Sequence, residues 1–250
     1  MNAARPRIVA SIEARMRSSR LPGKVLADIN GVPALTRLVR RLRRCHLLDD
    51  VVLATTVNTA DGALVEWAEA SGVAVYRGSE EDVLARVVEA HRHMGSEVVV
   101  EVTGDCTLLD PEIIDLGVAT YLANRCDVVA NVRQPSFPQG VDVQVFPLSL
   151  LEAVARESND PAVREHVSLY FYEHPELYRI IHLPAPARYQ APERRFQLDY
   201  PEDLAFIRAV YHHLEPTYGD AFGTPEILSL IASEPGLGMI NAHCQETRAR

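Results

Sequence analysis

The chain has 250 residues, 47% of them hydrophobic and 24% charged, with a formal charge of −9 and a pI near 5.5. That length suffices for one α/β domain with a substantial core, and the acidic balance argues against the broad basic field with which proteins neutralise nucleic-acid backbones. Cys45, Cys106, Cys126 and Cys244 form no C-x-x-C pair, so neither a zinc ribbon nor a disulfide framework is indicated, and no apolar run has the length of a signal-peptide core or a bilayer span; the expectation is a soluble cytoplasmic protein.

Short β-branched runs at residues 8–12, 51–55, 73–76, 97–102 and 127–131 alternate with helical periodicity. This is the pattern of a mostly parallel sheet covered by helices on both faces. Leu35, Leu38, Val39 and Leu42 mark one face of a helix whose other face carries Arg37, Arg40, Arg41, Arg43 and Arg44; a solvated basic surface is predicted there. Helices are predicted over residues 61–70 and 81–94, and Asp110-Pro111-Glu112 is a start signal in which aspartate caps and proline opens the next helix. His91, His93, His212 and His213 have no accompanying ligand set and read as surface residues. Beyond residue 131 the texture changes: Pro135, Pro138 and Gly140 punctuate a loop, residues 141–146 alternate like a strand, and residues 161–172 have helical periodicity. The segment of about 132–194 therefore reads as an excursion within a single domain of residues 1–240. The chain is expected to rejoin the sheet at 195–199, add helices at 201–213 and 225–232, and end in a polar tail, 241–250.

One run stands out. Lys24 is the only lysine among the 25 lysines and arginines, and it closes Glu13-Ala14-Arg15-Met16-Arg17-Ser18-Ser19-Arg20-Leu21-Pro22-Gly23-Lys24 just after the first strand. Ligands of open α/β sheets bind beyond the carboxyl ends of the strands, which is where this run lies. Arg15 and Arg20 can contact phosphate oxygens bidentately, Ser18 and Ser19 can donate hydroxyl hydrogen bonds, and Lys24 adds a compact, movable charge. The run reads as a triphosphate-binding loop, although it is neither a Walker P-loop, since Ser18 takes the place of the first glycine and Val25 follows the lysine, nor a G-x-G-x-x-G fingerprint.

Asp105 follows a buried-looking strand in Thr103-Gly104-Asp105, and Asp199 follows another in Leu198-Asp199-Tyr200-Pro201. Two carboxylates emerging at the same sheet edge suit Mg²⁺, which prefers a few protein oxygens together with phosphates and water. Each aspartate also has a purely structural reading, a turn for Asp105 and a helix cap for Asp199. Asp110 reads as a cap and Cys106 as packing.

The phosphate run closely resembles the N-terminal signature of the cytidylyltransferases that activate sugars for surface polysaccharides. The branch it resembles is the spore-coat polysaccharide one, related to the 3-deoxy-manno-octulosonate and acylneuraminate cytidylyltransferases. The resemblance spans roughly residues 7–210 and recurs in ordered blocks: Arg77-Gly78-Ser79-Glu80-Glu81-Asp82-Val83-Leu84, Thr103-Gly104-Asp105-Cys106-Thr107-Leu108-Leu109-Asp110-Pro111, Pro138-Gln139-Gly140-Val141-Asp142-Val143-Gln144-Val145-Phe146, Arg164-Glu165-His166-Val167 and Leu198-Asp199-Tyr200-Pro201-Glu202-Asp203-Leu204. It implies a Rossmann-like three-layer nucleotide-diphospho-sugar transferase fold and transfer of CMP from CTP to a sugar or sugar acid. It also implies Mg²⁺ on Asp105 and Asp199, and a homodimer held through the excursion, where Val167, Leu169, Tyr170, Phe171 and Tyr172 fit an interface or a core equally well. The cytosine is expected near Ala54, Thr55, Arg77, Gly78 and Ser79, and the acceptor near Gln139, Gly140, Asp142, Arg164 and His166. Val141 and Gln144 depart from the leucine and glutamate usual in relatives. Three alternatives remain open: a nucleotidyltransferase using another nucleotide, a nucleotide-sugar-dependent glycosyltransferase, although Asp105-Cys106-Thr107 lacks the second acid of a D-x-D motif, and a nucleotide-binding regulator without catalysis.

Overall fold

A computed structural model describes residues 5–244. The first half alternates as predicted. Strand β1 (Ile8–Glu13) leads through the phosphate run into a small hairpin, β2 (Asp28–Ile29) and β3 (Val32–Pro33), and then α1 (Ala34–Leu42), β4 (Asp50–Thr56), α2 (Gly62–Ser71), β5 (Ala74–Gly78), α3 (Val83–Met94) and β6 (Val98–Thr103). The second half comprises α4 (Pro111–Ala123), β7 (Val128–Ala130), β8 (Gln144–Pro147), α5 (Leu148–Glu157), α6 (Pro161–Glu165), α7 (Leu169–Glu173), β9 (Ile180–His182), α8 (Pro201–Tyr218) and α9 (Thr224–Ser233).

Seven strands form one sheet in the order β5-β4-β1-β6-β8-β7-β9. Only β8 runs antiparallel to its neighbours, β6 and β7. The excursion thus contributes two short strands to the sheet, β8 between β6 and β7 and β9 at the edge. Period-2 alternation sends Ile8, Ala10 and Ile12 of β1 into one core, beneath α1, α2, α4, α8 and α9, and Val9 into the other, beneath α3, α5 and α7. The result is a three-layer α/β fold.

Several local expectations are corrected. Arg37 and Arg41 are wholly buried, and only Arg40, Arg43 and Arg44 of the predicted basic surface are exposed. The Arg37 guanidinium meets Glu215 at 2.5 Å and Asp220 at 2.9 Å and lies 4.2 Å from the centre of the Tyr211 ring, while Arg41 donates to the Phe222 carbonyl at 2.8 Å. Burial of these charges is offset by pairing and hydrogen bonds that α8 and the turn after it supply, and α8 accordingly runs to Tyr218 with Pro216 inside its last turn. His91 is buried too, donating to or accepting from Ser96 at 2.9 Å. Residues 195–199 do not form a strand; they run extended beside Gln139 and Asp105, with Phe196 N–H donating to the Gln139 carbonyl at 2.7 Å and Leu198 N–H to that of Asp105 at 2.9 Å. The predicted helix at 161–172 is two, broken where His166 takes an extended conformation.

Of the predicted tail, residues 241–244 are described and 245–250 are not. Asn241 is buried, donating to the Arg195 carbonyl and to Asp203. Among the described residues no helix is long and apolar enough to cross a membrane, and all four cysteines are free.

Candidate active site

The carboxyl ends of β1 and β6 open on a cleft of about 590 Å³, bordered by the phosphate run on one side and by Gly104, Asp105, Gln197 and Asp199 on the other. The run is held in shape by its own backbone: Gly23 N–H donates to the Met16 carbonyl at 2.9 Å, and Gly23 itself has φ 71°, the left-handed region that a glycine adopts without strain. A buried aspartate anchors the entry, for Asp61 accepts from Met16 N–H at 2.7 Å and from the Thr56 hydroxyl. Arg15, Ser18, Ser19, Arg20 and Lys24 all line the cleft.

Lys24 lies between the two aspartates. Its Nζ is 2.8 Å from Asp105 Oδ2 and 2.5 Å from Asp199 Oδ1, and Arg20 Nη2 is 2.6 Å from Asp199 Oδ2. Sequence positions separated by 81 and 175 residues therefore converge on one ammonium. Burial disfavours the charge on Lys24, but the two carboxylates overcome it and hold its pKa above the ordinary lysine value. Asp105 shows the converse: burial opposes ionisation, and Lys24, Thr103 and Gln197 prevail and lower its pKa. Thr103 donates its hydroxyl to Asp105 Oδ1 at 2.6 Å, and Gln197 donates its amide to Oδ2 at 3.2 Å.

Neither aspartate is consumed by the structural role open to it in sequence. The cap of α8 is made by Asp203, whose carboxylate accepts from the backbone N–H groups of Asp199 and Tyr200, leaving the Asp199 carboxylate to face the cleft. Asp110 does cap α4, accepting from Glu112 N–H at 3.0 Å. Cys106 is buried, and its thiol pKa is raised first by that burial and then by Asp142 and Asp105, so it behaves as packing. Two converging carboxylates, Asp199 buried and Asp105 partly so, supply hard oxygen donors of the kind a divalent cation such as Mg²⁺ takes.

The residues expected around the base are close by but do not line the cleft. Ala54 and Thr55 are fully buried in β4. Arg77 donates to the carbonyls of Thr56 and Asn58, each at 3.0 Å, and Ser79 accepts from Asp82 N–H at 3.0 Å. Gly78 packs so tightly on Arg86 that a Cβ would lie 2.9 Å from its Cγ.

The residues expected around the acceptor divide. His166 lines the cleft beside Glu165. Arg164 is committed elsewhere, pairing with Asp82 at 3.2 Å and donating to the carbonyls of Ser158 and Ala155. Gln139 reaches the site through Gln197, whose amide oxygen accepts from Gln139 Nε2 at 2.9 Å. Gly140, at φ 89°, passes so close to that segment that a Cβ would lie 2.6 Å from Gln197 N. Asp142 is half-buried, and its charge helps to raise the pKa of Glu101. Cleft residues that the sequence reading gave no role include Gln197, Glu13, Arg17 and Thr103. Gln197 was legible, standing two positions before Asp199 in an extended segment where Phe196 and Leu198 go to the core. Glu13 ends β1 with its carboxyl pKa raised, chiefly by burial and then by Glu101.

A parallel-sheet α/β fold with cationic loop side chains and a carboxylate pair at its carboxyl edge defines a nucleotidyltransferase-type site. The cytidylyltransferase family model matches residues 9–220. The chain is 35% identical over 209 residues to the spore coat polysaccharide biosynthesis protein SpsF of Bacillus subtilis, covering 82% of this chain and 86% of that one. It is 34% identical over 219 residues to the 3-deoxy-manno-octulosonate cytidylyltransferase of Nitratidesulfovibrio vulgaris, covering 80% and 85%. A solved cytidylyltransferase from Leptospira borgpetersenii superimposes with a TM-score of 0.89 at 28% identity, over 98% of this chain and all of that one. The chain belongs to the cytidylyltransferase family, and it is a nucleotidyltransferase in that sense.

Proposed function

We propose that this protein transfers CMP from CTP to an oxygen of a sugar, sugar acid or sugar phosphate, releasing pyrophosphate, in the making of a surface polysaccharide or glycoconjugate. The observation that carries the reading is the convergence of Lys24 and Arg20 with Asp105 and Asp199 in one cleft. The acceptor oxygen attacks the α-phosphorus; one P–O bond forms, the bond to the β-phosphate breaks, and no covalent intermediate on the protein is needed. Arg15, Arg20 and Lys24 bind the triphosphate and stabilise charge as it gathers on the departing pyrophosphate, with Ser18 and Ser19 donating to the remaining oxygens. Asp105 and Asp199 would hold Mg²⁺, which when bound supplies Lewis-acid neutralisation of phosphate oxygens.

The cytosine is proposed to lie against the ends of β4 and β5. There backbone groups beside Ala54, Thr55, Gly78 and Ser79 would recognise a pyrimidine edge and exclude a purine by size, and Arg77 fixes the loop by holding the Thr56 and Asn58 carbonyls. For the acceptor, His166 and Asp142 are the proposed direct contacts. Gln139 and Gly140 act by positioning Gln197, and Arg164 by holding α6. The homodimer is proposed through the excursion. Its contact must avoid Val167, Leu169 and Phe171, which are buried in the core.

The test is a panel of four nucleoside triphosphates against acidic and phosphorylated sugars, following pyrophosphate. CTP is expected to be preferred, and Lys24→Ala is expected to lower turnover by about 10²–10³ while the protein still melts cooperatively. Preference for a purine triphosphate, or unchanged turnover in Lys24→Ala, would defeat the reading.

A further inference from the structure

The cations of the phosphate run and the carboxylates proposed to hold a dication are already in contact with each other. Lys24 meets one oxygen of Asp105 and one of Asp199, at 2.8 and 2.5 Å, and Arg20 meets the other oxygen of Asp199 at 2.6 Å. The side chains of Lys24, Asp105 and Asp199 are 13%, 13% and 7% exposed, so solvent and salt screen the cluster little. An ammonium that bridges one oxygen of each carboxylate stands where a cation shared by both would stand.

We infer that Lys24 is a placeholder: in the absence of nucleotide its ammonium fills the seat between Asp105 and Asp199 and excludes a divalent cation, and a bound triphosphate opens the seat by drawing the ammonium onto its own oxygens. The inference rests on reading Asp105 and Asp199 as metal ligands.

Three observations support the exchange. The seat does not need Lys24 to keep its shape, because Asp105 is also held by Thr103 and Gln197, and Asp199 is held through its backbone N–H by Asp203 at 2.9 Å with Arg195 at 3.6 Å from its carboxylate. The placeholder is also of the right chemical kind. In a chain with one lysine among 25 lysines and arginines, the lysine stands at a position that touches both aspartates. A guanidinium would clasp a carboxylate through two parallel bonds, whereas an ammonium is a point charge whose three donors are readily traded between carboxylate and phosphate. Finally, Asp105 and Asp199 are already paired with Lys24 and Arg20, which weakens their pull on a free dication until phosphates take those cations away. The metal therefore enters with the nucleotide and not before it.

The test measures Mn²⁺ binding by isothermal titration, with and without CTP, for the wild type, Lys24→Met, Lys24→Gln, Lys24→Arg and Asp105→Asn/Asp199→Asn. Without nucleotide, Lys24→Met and Lys24→Gln are expected to bind Mn²⁺ at least about tenfold more tightly than the wild type, and to gain melting temperature when Mn²⁺ is added. Lys24→Arg is expected to exclude Mn²⁺ as the wild type does. If both neutral variants melt cooperatively yet bind Mn²⁺ no more tightly than the wild type, the placeholder is overturned. If neither folds in metal-free buffer, Mn²⁺ must restore a cooperative melt, and failure to do so also overturns it. The carboxylate reading is judged separately: Asp105→Asn/Asp199→Asn must abolish the metal-dependent part of CTP binding. If it does so while Lys24→Met gains nothing, only the placeholder falls; if it does not, both fall.

Discussion

Glu101 on β6 stands directly opposite Gln144 on β8, and both side chains are buried. Gln144 accepts from the Ser168 hydroxyl at 2.8 Å and from the Tyr172 hydroxyl at 2.6 Å, which ties α7 to the sheet. An amide at this position avoids the pair of like charges on neighbouring strands that a second carboxylate opposite Glu101 would create. Burial raises the Glu101 pKa to about 7, and the charge of Asp142 adds to the rise. A raised carboxyl pKa costs nothing below the unfolded value, where both states are protonated; the cost grows as pH climbs toward 7 and is complete above it. Glu101→Gln is therefore expected to match the wild type in urea unfolding at pH 4 and to exceed it at pH 8 by on the order of 3 kcal/mol. Parallel pH profiles for the two proteins would refute this.

At the scale of elements, the decisive contacts join segments that have little regular structure. The stretch 195–199 forms no strand, yet Gln197 and Asp199 reach the cleft because alternation sends Phe196 and Leu198 to the core. Gly140 permits this by letting the loop before β8 pass against the Gln197 backbone. Gly140→Ala is expected to combine strain at φ 89° with a steric clash, costing roughly 1–3 kcal/mol in stability. It is also expected to lower turnover, because displacing Gln197 loosens Asp105; thermal melts and pyrophosphate release check the two effects. A variant that loses stability but retains full turnover at a temperature where it is folded would show that Gln197 does not position Asp105. The break between α6 and α7 has a comparable consequence. An unbroken helix would satisfy the periodicity of residues 161–172, whereas Ser168 and Tyr172 instead dock on Gln144 and His166 is turned to the cleft.

The whole molecule is one twisted sheet whose excursion is woven into it, and this bears on assembly. At the edge, β9 pairs with β7 only, and Leu177 near its start is 61% exposed. Edge strands are competent to pair with another chain, so the proposed homodimer has a surface available that does not disturb the core. Sedimentation at micromolar concentration is expected to give twice the chain mass, and a monomer there would remove the dimer.

The alternation of β-branched runs and helical periods was enough to show a mostly parallel α/β sheet, because strand and helix periods are local properties of the chain. The residues of the phosphate loop were legible for a related reason, since their chemistry is carried by residue type at short spacing, whereas Asp105 and Asp199 each had a structural reading as well and were singled out by the resemblance to the family. Burial was not legible where it depends on distant partners. Arg37 and Arg41 look like solvent-facing cations until α8 and the following turn bring Glu215, Asp220 and the Phe222 carbonyl to them. The seat shared by Lys24, Asp105 and Asp199 was likewise beyond local reading, since no spacing in the sequence says that residues 81 and 175 positions apart meet at hydrogen-bonding distance. Only the register of β1 with β6, and of the extended stretch at 195–199 with Asp105, brings those charges together.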